Sequence, residues 1–550
     1  MEKKQNFLTG AAILSLSTIV VKVIGMFYKI PLKLLIGDAG FAYFNAAYAI
    51  YTVLLVISTT GLPVAMSRMV SEAHTLGNGK QMKRIFRTAL MAYMTIGILG
   101  TAAMMLLPNL LAKLMEMPLS SYSIFALGPA VLFICFASAG RGYFQGQGDM
   151  RPTAVSQIIE AAGKLFLGLG FAWLVMGWTQ DYALASGATI AGISIGAGLS
   201  ALYVFIRHRK NRKEIDAMGG TAQSYRSTAK TLLSIAVPIT IGAAGLQIIN
   251  LLDEITVVGR LLKAFEGDGE IANHLLAIAA QDPSGKQSLA QDAAEISKGI
   301  YSFCQTIFNF PTSFIPCITA AIIPAITANL TNKDTLGAKK VQDSSLRIMS
   351  LIASPCAVGL LVLAEPIMAL FNYEGDKLPV AALLLALLAP TVLVNSVTSM
   401  TTAIMQAHNH MVLPVINTLI GGLLKVGVNY ILVGNPNIGI LGAPVGTFVC
   451  FLVIMVLNIF SMRRVLDDPP KLLPAMWRSG LAALFMGVAA FGVYTLTIDV
   501  IGSVALCCLG SIAVAVVVYL LLVIAFKALT REDCLLLPKG EKIAKILRIR

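Results

Sequence analysis

Charge is what this sequence has least of. Only 13% of its 550 residues are Asp, Glu, Lys or Arg, where a soluble domain carries about 25%. With a mean hydropathy of +0.78, that scarcity excludes a water-facing surface. Acid is scarcer than base, 28 residues against 42, for a net charge of +14. Cysteine gives no framework. Seven of the eight sit in apolar runs (Cys135, Cys304, Cys317, Cys356, Cys450, Cys507, Cys508), Cys534 lies in the tail, and no CxxC occurs, so we read them as small hydrophobes. The five histidines lack metal-ligand spacing, and the Gly-rich stretch GRGYFQGQGDMRP lacks the GxxxxGK of a phosphate loop. No resident cofactor is expected, only a coupling ion such as Na⁺ or H⁺. Strict apolar–polar alternation is also missing, which excludes a membrane β-barrel.

What is present is a series of long apolar runs, each able to cross the roughly 30 Å of a bilayer's hydrocarbon. Lipid offers the backbone no hydrogen bonds, so these runs must be helices. Fourteen are expected, at about 9–34, 41–64, 86–110, 121–140, 153–177, 180–206, 231–256, 299–324, 345–371, 378–402, 411–434, 439–461, 475–498 and 501–526. The fourth is the weakest, being short and ending in Gly140. The basic start, Met1 to Asn6, resembles a signal peptide, but the apolar run behind it is too long and has no small-residue cleavage site. It is read as a retained first span.

Charge orients the spans. With the N-terminus inside, alternate connections collect Lys and Arg: 65–87, 207–230, the segments after spans eight and twelve, and the tail. Together with Lys3, Lys4, Arg141 and Arg151 they hold 31 of the 42 basic residues. The longest opposite connection, 261–298, has three lysines against six carboxylates. Both termini are expected on the cytoplasmic side of a bacterial cell membrane. The positive charge then faces anionic lipid and calls for no nucleic acid.

The halves resemble each other. Gln145 and Lys164 are 19 residues apart, as are Gln406 and Lys425, at an offset of 261; Pro63 and Pro324 share that offset. A duplicated six-span unit is expected, with lobes at 1–230 and 231–462 and two further spans plus a basic tail at 463–550. An even number of spans per repeat makes the repeats parallel, and paired bundles of this kind open a cavity to each side in turn.

The opening LSTIVVKVIGMFYKIPLKLLIGDAGFAYFNAAYAIYTVLLVISTTGLPVAMSRMVSEA and the later RGYFQGQGDMRPTAVSQIIEAAGK resemble the polysaccharide-transporter branch of the multidrug/oligosaccharidyl-lipid/polysaccharide superfamily. Within it the chain is similar to the stage V sporulation protein B group, which is related to the lipid II flippases. The resemblance implies an all-α membrane protein of fourteen helices. It also implies a monomer that is not an enzyme and that moves an undecaprenyl-linked saccharide across the membrane beside cell-wall synthesis partners. Lys22-Val23-Ile24-Gly25 is similar to that group's basic-x-x-Gly step. The group also carries charges on its second and eighth spans, whereas 41–64 and 299–324 carry none.

Charges inside spans are costly, about 2.5–3.5 kcal/mol each at mid-bilayer on insertion scales, and each needs a reason. Lys22 and Lys29, two turns apart in the first span, are read as cations for a phosphate-bearing head group, with Lys33 snorkelling to the interface. Lys164 and its repeat partner Lys425 are read as matched cavity positions, and Arg141 as a guide for an anionic head group or a membrane anchor. Glu160 stands four residues before Lys164, the favourable order for a helical ion pair, so the two either neutralise each other or gate the site. Asp253 and Glu254 are candidates for ion coupling, with an interfacial position as the alternative. Three rival functions stay open. A cation-coupled drug exporter would favour twelve spans and an acidic, aromatic cavity. A membrane glycosyltransferase or ligase needs long external loops with catalytic groups. A channel or scaffold would not call for a repeat.

Overall fold

The computed structural model describes residues 2–281, 283, 285–530 and 533. The basic residues of 534–550 and Cys534 lie outside them. Among the described residues the chain is helical with no strand. It forms two compact units, 1–259 with 284–299, and 260–283 with 300–550.

The first unit holds α1 (Glu2–Thr59), α2 (Gly61–Thr75), α3 (Gly79–Leu106), α4 (Pro108–Leu114), α5 (Ser121–Gly146), α6 (Arg151–Gly163), α7 (Leu169–Thr179), α8 (Tyr182–Ala217) and most of α9 (Tyr225–Ala264). The apolar runs are legible in the helix boundaries, and polar caps start several helices. Asn78 accepts from the Gln81 N–H at 3.0 Å ahead of α3, and Asp181 accepts from the Ala183 N–H at 2.9 Å ahead of α8. α1 covers 58 residues, more than one crossing needs, and consists of two helices that meet at Gly37. It bends at Gly37, whose φ of +65° lies in the left-handed region that favours glycine. Lys33 and Asp38 flank this bend, buried and 3.7 Å apart. Lys33 is therefore paired inside the unit and does not snorkel, because the bend folds a carboxylate back onto it.

The second unit holds α10 (Glu270–Gln281), the end of α11 (Leu289–Thr312), α12 (Ile315–Thr331), α13 (Thr335–Val362), α14 (Ala364–Leu370), α15 (Lys377–Ala407), α16 (Val412–Leu432), α17 (Gly442–Val465), α18 (Leu472–Ile501) and α19 (Val504–Ala525). Its core is apolar, with α13 carrying residues into one cluster with α12, α15 and α17 and packing on α18. The Arg347 guanidinium donates to both oxygens of the fully buried Asp533 at 2.7–3.0 Å, tying the end of the described chain to α13.

Twelve described helices are long and apolar enough to cross a membrane. Fourteen crossings require Val20–Thr75, which holds 56 residues, to cross twice about its bend. They also require Leu289–Thr331 to cross in two pieces. The expected eighth span is not one apolar helix. Its helix, α11, begins ten residues earlier, with Asp292, Glu295 and Lys298 in the turns ahead of 299, and it stops at Thr312, inside the expected span, before α12 starts at Ile315. The compact units also differ from the expected lobes, since α9, the first span of the second half, packs mostly with the first unit.

The offset of 261 reappears in the hydrogen bonds. In the first unit Arg141 donates to Ser156 and Ser200, both at hydroxyl oxygens, tying α5, α6 and α8 together. Adding 261 gives Thr402, Asn417 and Ser461. In the second unit Asn417 donates to Ser461 at 3.2 Å and to Asn458 at 2.9 Å, and Asn458 donates to Thr402 at 3.0 Å. The same three-helix junction is thus built twice, once around a guanidinium and once from neutral carboxamides.

Candidate functional site

In the first unit Lys164 is the centre of an aromatic cage. Its Nζ donates to Tyr48 Oη at 2.8 Å and lies 4.5, 5.1 and 5.9 Å from the ring centroids of Tyr48, Tyr28 and Phe44. Three aromatic faces stabilise an ammonium through their quadrupoles without neutralising it. Two come from the α1 stripe Phe41, Phe44, Tyr48, Tyr51, where Phe44 and Tyr48 stack at 4.9 Å. Sequence reasoning missed this stripe because aromatics at helical spacing inside an apolar run read as span filler. The signal was the regular three- and four-residue step.

The backbone also singles out Lys164. It opens a π-helical turn, Lys164–Gly168, between α6 and α7, a local widening frequent at functional sites. A close approach of α8 sits just before it. A Cβ on Gly163 would stand 2.4 Å from Gly196 Cα, so only glycine allows this helix contact.

The expected Glu160–Lys164 pair is not formed among the described residues. Glu160 instead accepts from Arg141 at 2.9 Å, and Lys164 turns to Tyr48 at the start of the π turn. Arg141 does not stand in the turn between α5 and α6. It lies inside α5, nearly buried, with its guanidinium spent on Glu160, Ser156 and Ser200.

Lys29 joins the cage region. Its Nζ lies 6.0 Å from the Phe41 ring centroid, and it is within electrostatic reach of Lys164 and Glu254. Glu254 pairs with Lys298 at 2.6 Å, and Asp253 beside it is buried. Lys298 is only 2% exposed; it was invisible in the sequence as a partner, 44 residues from Glu254. Lys29 and Lys164 have no carboxylate within ion-pair distance among the described residues. Lys22 is exposed two turns earlier and is not brought into this group. Lys425 lies in α16 of the second unit, where Arg260 stacks on Tyr430 at 4.1 Å and donates to its carbonyl oxygen at 2.8 Å.

A second polar cluster stands one turn ahead of the span expected to begin at 299. The fully buried Glu295 accepts from Tyr43 Oη at 2.5 Å, from Gln287 at 2.5 Å and from Gln291 at 3.0 Å. Burial pushes its carboxyl up to about 7; the three donors oppose this, and nearby Asp292 adds to it. A raised acid favours the protonated fold, so its contribution is complete below about pH 4.5 and is lost as pH rises through 7. The difference is worth about 3 kcal/mol. Amides of 285–299 are expected to lose hydrogen-exchange protection, corrected for intrinsic rate, between about pH 4.5 and 7. The Glu295→Gln variant should show no such step, and an unchanged step in that variant would refute this assignment.

The match that decides the family covers residues 7–330, more than half of the chain, and falls to the polysaccharide biosynthesis protein family. The chain belongs to the polysaccharide biosynthesis protein family. The MatE family also matches, over residues 297–431. Over 544 residues this family member is 24% identical to stage V sporulation protein B of Bacillus subtilis (strain 168), covering 97% of this chain and 98% of that protein. Lipid II flippase MurJ of the same organism is 25% identical over 441 residues, 77% of each chain. Among solved structures, lipid II flippase MurJ in an inward closed conformation superposes with a TM-score of 0.67 at 15% identity, over 94% of this chain and 98% of that one. An inward-facing MATE family transporter of the MOP superfamily gives 0.62 at 14%, over 80% and 94%. The fold is that of MurJ and MATE transporters. This polysaccharide biosynthesis family member is a multi-pass membrane protein with twelve described helices long and apolar enough to cross a membrane, and one of its relatives is a lipid II flippase.

Proposed function

We propose that this protein is an alternating-access flippase that carries an undecaprenyl-linked, phosphate-bearing saccharide from the inner to the outer leaflet of the bacterial cell membrane. The observation that carries this reading is Lys164, an ammonium caged by Tyr28, Phe44 and Tyr48 with no carboxylate at ion-pair distance among the described residues, and with Lys29 in electrostatic reach. In a low-dielectric surrounding such a cation seeks an anion, and a pyrophosphate supplies one with several acceptor oxygens. The neighbouring charges are already matched, as Arg141 with Glu160 and Lys298 with Glu254, which leaves the two lysines to the head group. Fourteen crossings, cytoplasmic termini and paired six-helix lobes complete the proposal. Lys22 and Lys425 would act on the path of the lipid, and Asp253 and Glu254 on ion coupling. No covalent chemistry on the substrate is required.

Reconstituted vesicles test this. Undecaprenyl-pyrophosphoryl sugar loaded on one face should become accessible to an impermeant probe on the other far faster than in protein-free vesicles. A second reading, a cation-coupled exporter, is favoured by the MatE match, the fold shared with a MATE transporter and the aromatic rings around Lys164. Uptake of organic cations with no movement of any lipid-linked sugar would establish it and refute the flippase.

A further inference from the structure

The second unit contains a cavity of about 310 Å³ between α12, α15, α16 and α17, at the lower end of small-molecule sites. Its wall on α15 is a polar stripe. Asn395, Ser399, Thr402 and Gln406 follow one another at steps of four, three and four residues, which places them on one helical face. Thr418 of α16 adds a hydroxyl from the side, and Phe451 of α17 adds an aromatic ring. No lysine, arginine, histidine or carboxylate lines the cavity among the described residues.

The lining selects its occupant by chemistry. A phosphate would need a cation, and an organic cation or metal ion would need a carboxylate; neither is there. Carboxamides and hydroxyls both donate and accept, which suits a ligand whose groups do the same. Among the described residues Asn395 makes one hydrogen bond, a long 3.5 Å contact from Ser399 to its oxygen, and its NH₂ has no partner there. The Gln406 carboxamide has no partner among the described residues. Polar groups left open in a membrane interior cost free energy unless water or a ligand meets them. Thr402 of this stripe accepts from Asn458 in the packing network of this unit, but among the described residues Asn395, Ser399 and Gln406 make no hydrogen bond to another helix, so these three are not needed to hold the helices. The position 261 residues before Thr402 is Arg141; where the first unit has a guanidinium, this face is neutral.

We propose that this cavity is a saccharide subsite. It takes an uncharged sugar ring, with Asn395 and Gln406 bonding its hydroxyl or acetamido groups and the Phe451 ring against its apolar face. This inference rests on the flippase reading above and adds where the sugar is recognised.

The test compares two lipids in the same vesicles, undecaprenyl pyrophosphate and the same lipid bearing one N-acetylated sugar. The readout is the ratio of their flipping rates. In Asn395→Leu/Gln406→Leu the ratio of sugar-bearing to sugar-free lipid is expected to fall about tenfold from wild type, the loss of one or two net hydrogen bonds. A ratio within twofold of wild type would overturn the subsite while leaving the flippase reading intact. Wild type that moves neither lipid would overturn the flippase reading itself. If the double variant does not fold, Gln406→Met and Phe451→Leu decide separately: each should lower the ratio, and an unchanged ratio in both overturns the proposal.

Discussion

Lys164→Ala is expected to slow flipping of an undecaprenyl-pyrophosphoryl sugar by about 10–100-fold, with little change in thermal stability. Hydrogen bonds to a charged group are worth about 1.5–3 kcal/mol, and each 1.4 kcal/mol is about tenfold. The fold should tolerate the change because Lys164 makes one hydrogen bond, to Tyr48, and holds no ion pair among the described residues. Lys164→Arg keeps the charge but not the fit to a cage shaped for an ammonium, so an intermediate rate is expected. Flipping rates in vesicles and melting temperatures in detergent, measured side by side, check both claims. A large drop in melting temperature for Lys164→Ala would make the lysine structural and remove the main support for a head-group site.

Gly163→Val should damage the fold of the first unit. The added Cβ would stand 2.4 Å from Gly196 Cα, backbone that no rotamer change can move. α8 must shift away or the π turn must deform, and either displaces Lys164, the next residue. Overpacking of this kind costs about 1–3 kcal/mol or more. A clear loss of thermal stability together with flipping is expected. Gly170→Ala, where an added Cβ meets nothing within 4 Å, is the control and should behave as wild type. A Gly163→Val protein with wild-type melting would show that the close helix contact is not needed.

These two residues show how far the sequence could be read. Long apolar runs predict helices because backbone in lipid has no alternative, and those helices are present. The offset of 261 was readable from Gln145, Lys164 and Pro63, and it reappears in the junctions at Ser156 and Asn417. What stayed hidden depends on contacts distant in sequence or on small departures from regular helix. The π turn at Lys164 separates it from Glu160, and nothing in an i, i+4 spacing announces such a turn. Glu254 finds Lys298, and Tyr43 finds Glu295 252 residues away. The expected spans 9–34 and 41–64 lie on either side of Gly37, whose φ of +65° and ψ of −175° are not helical and redirect the chain between two helices. The cage aromatics were hidden in plain view, since Phe and Tyr in a membrane span usually only fill space.

The most direct measurement of the central claim is binding of undecaprenyl pyrophosphate to the purified protein in nanodiscs, for wild type and for Lys29→Ala/Lys164→Ala. If these two lysines hold the anionic head group, wild type binds with an affinity that falls as salt rises, and the double variant binds at least about tenfold more weakly. Equal binding by both proteins, or displacement of the lipid by an organic cation instead of by inorganic pyrophosphate, would contradict it.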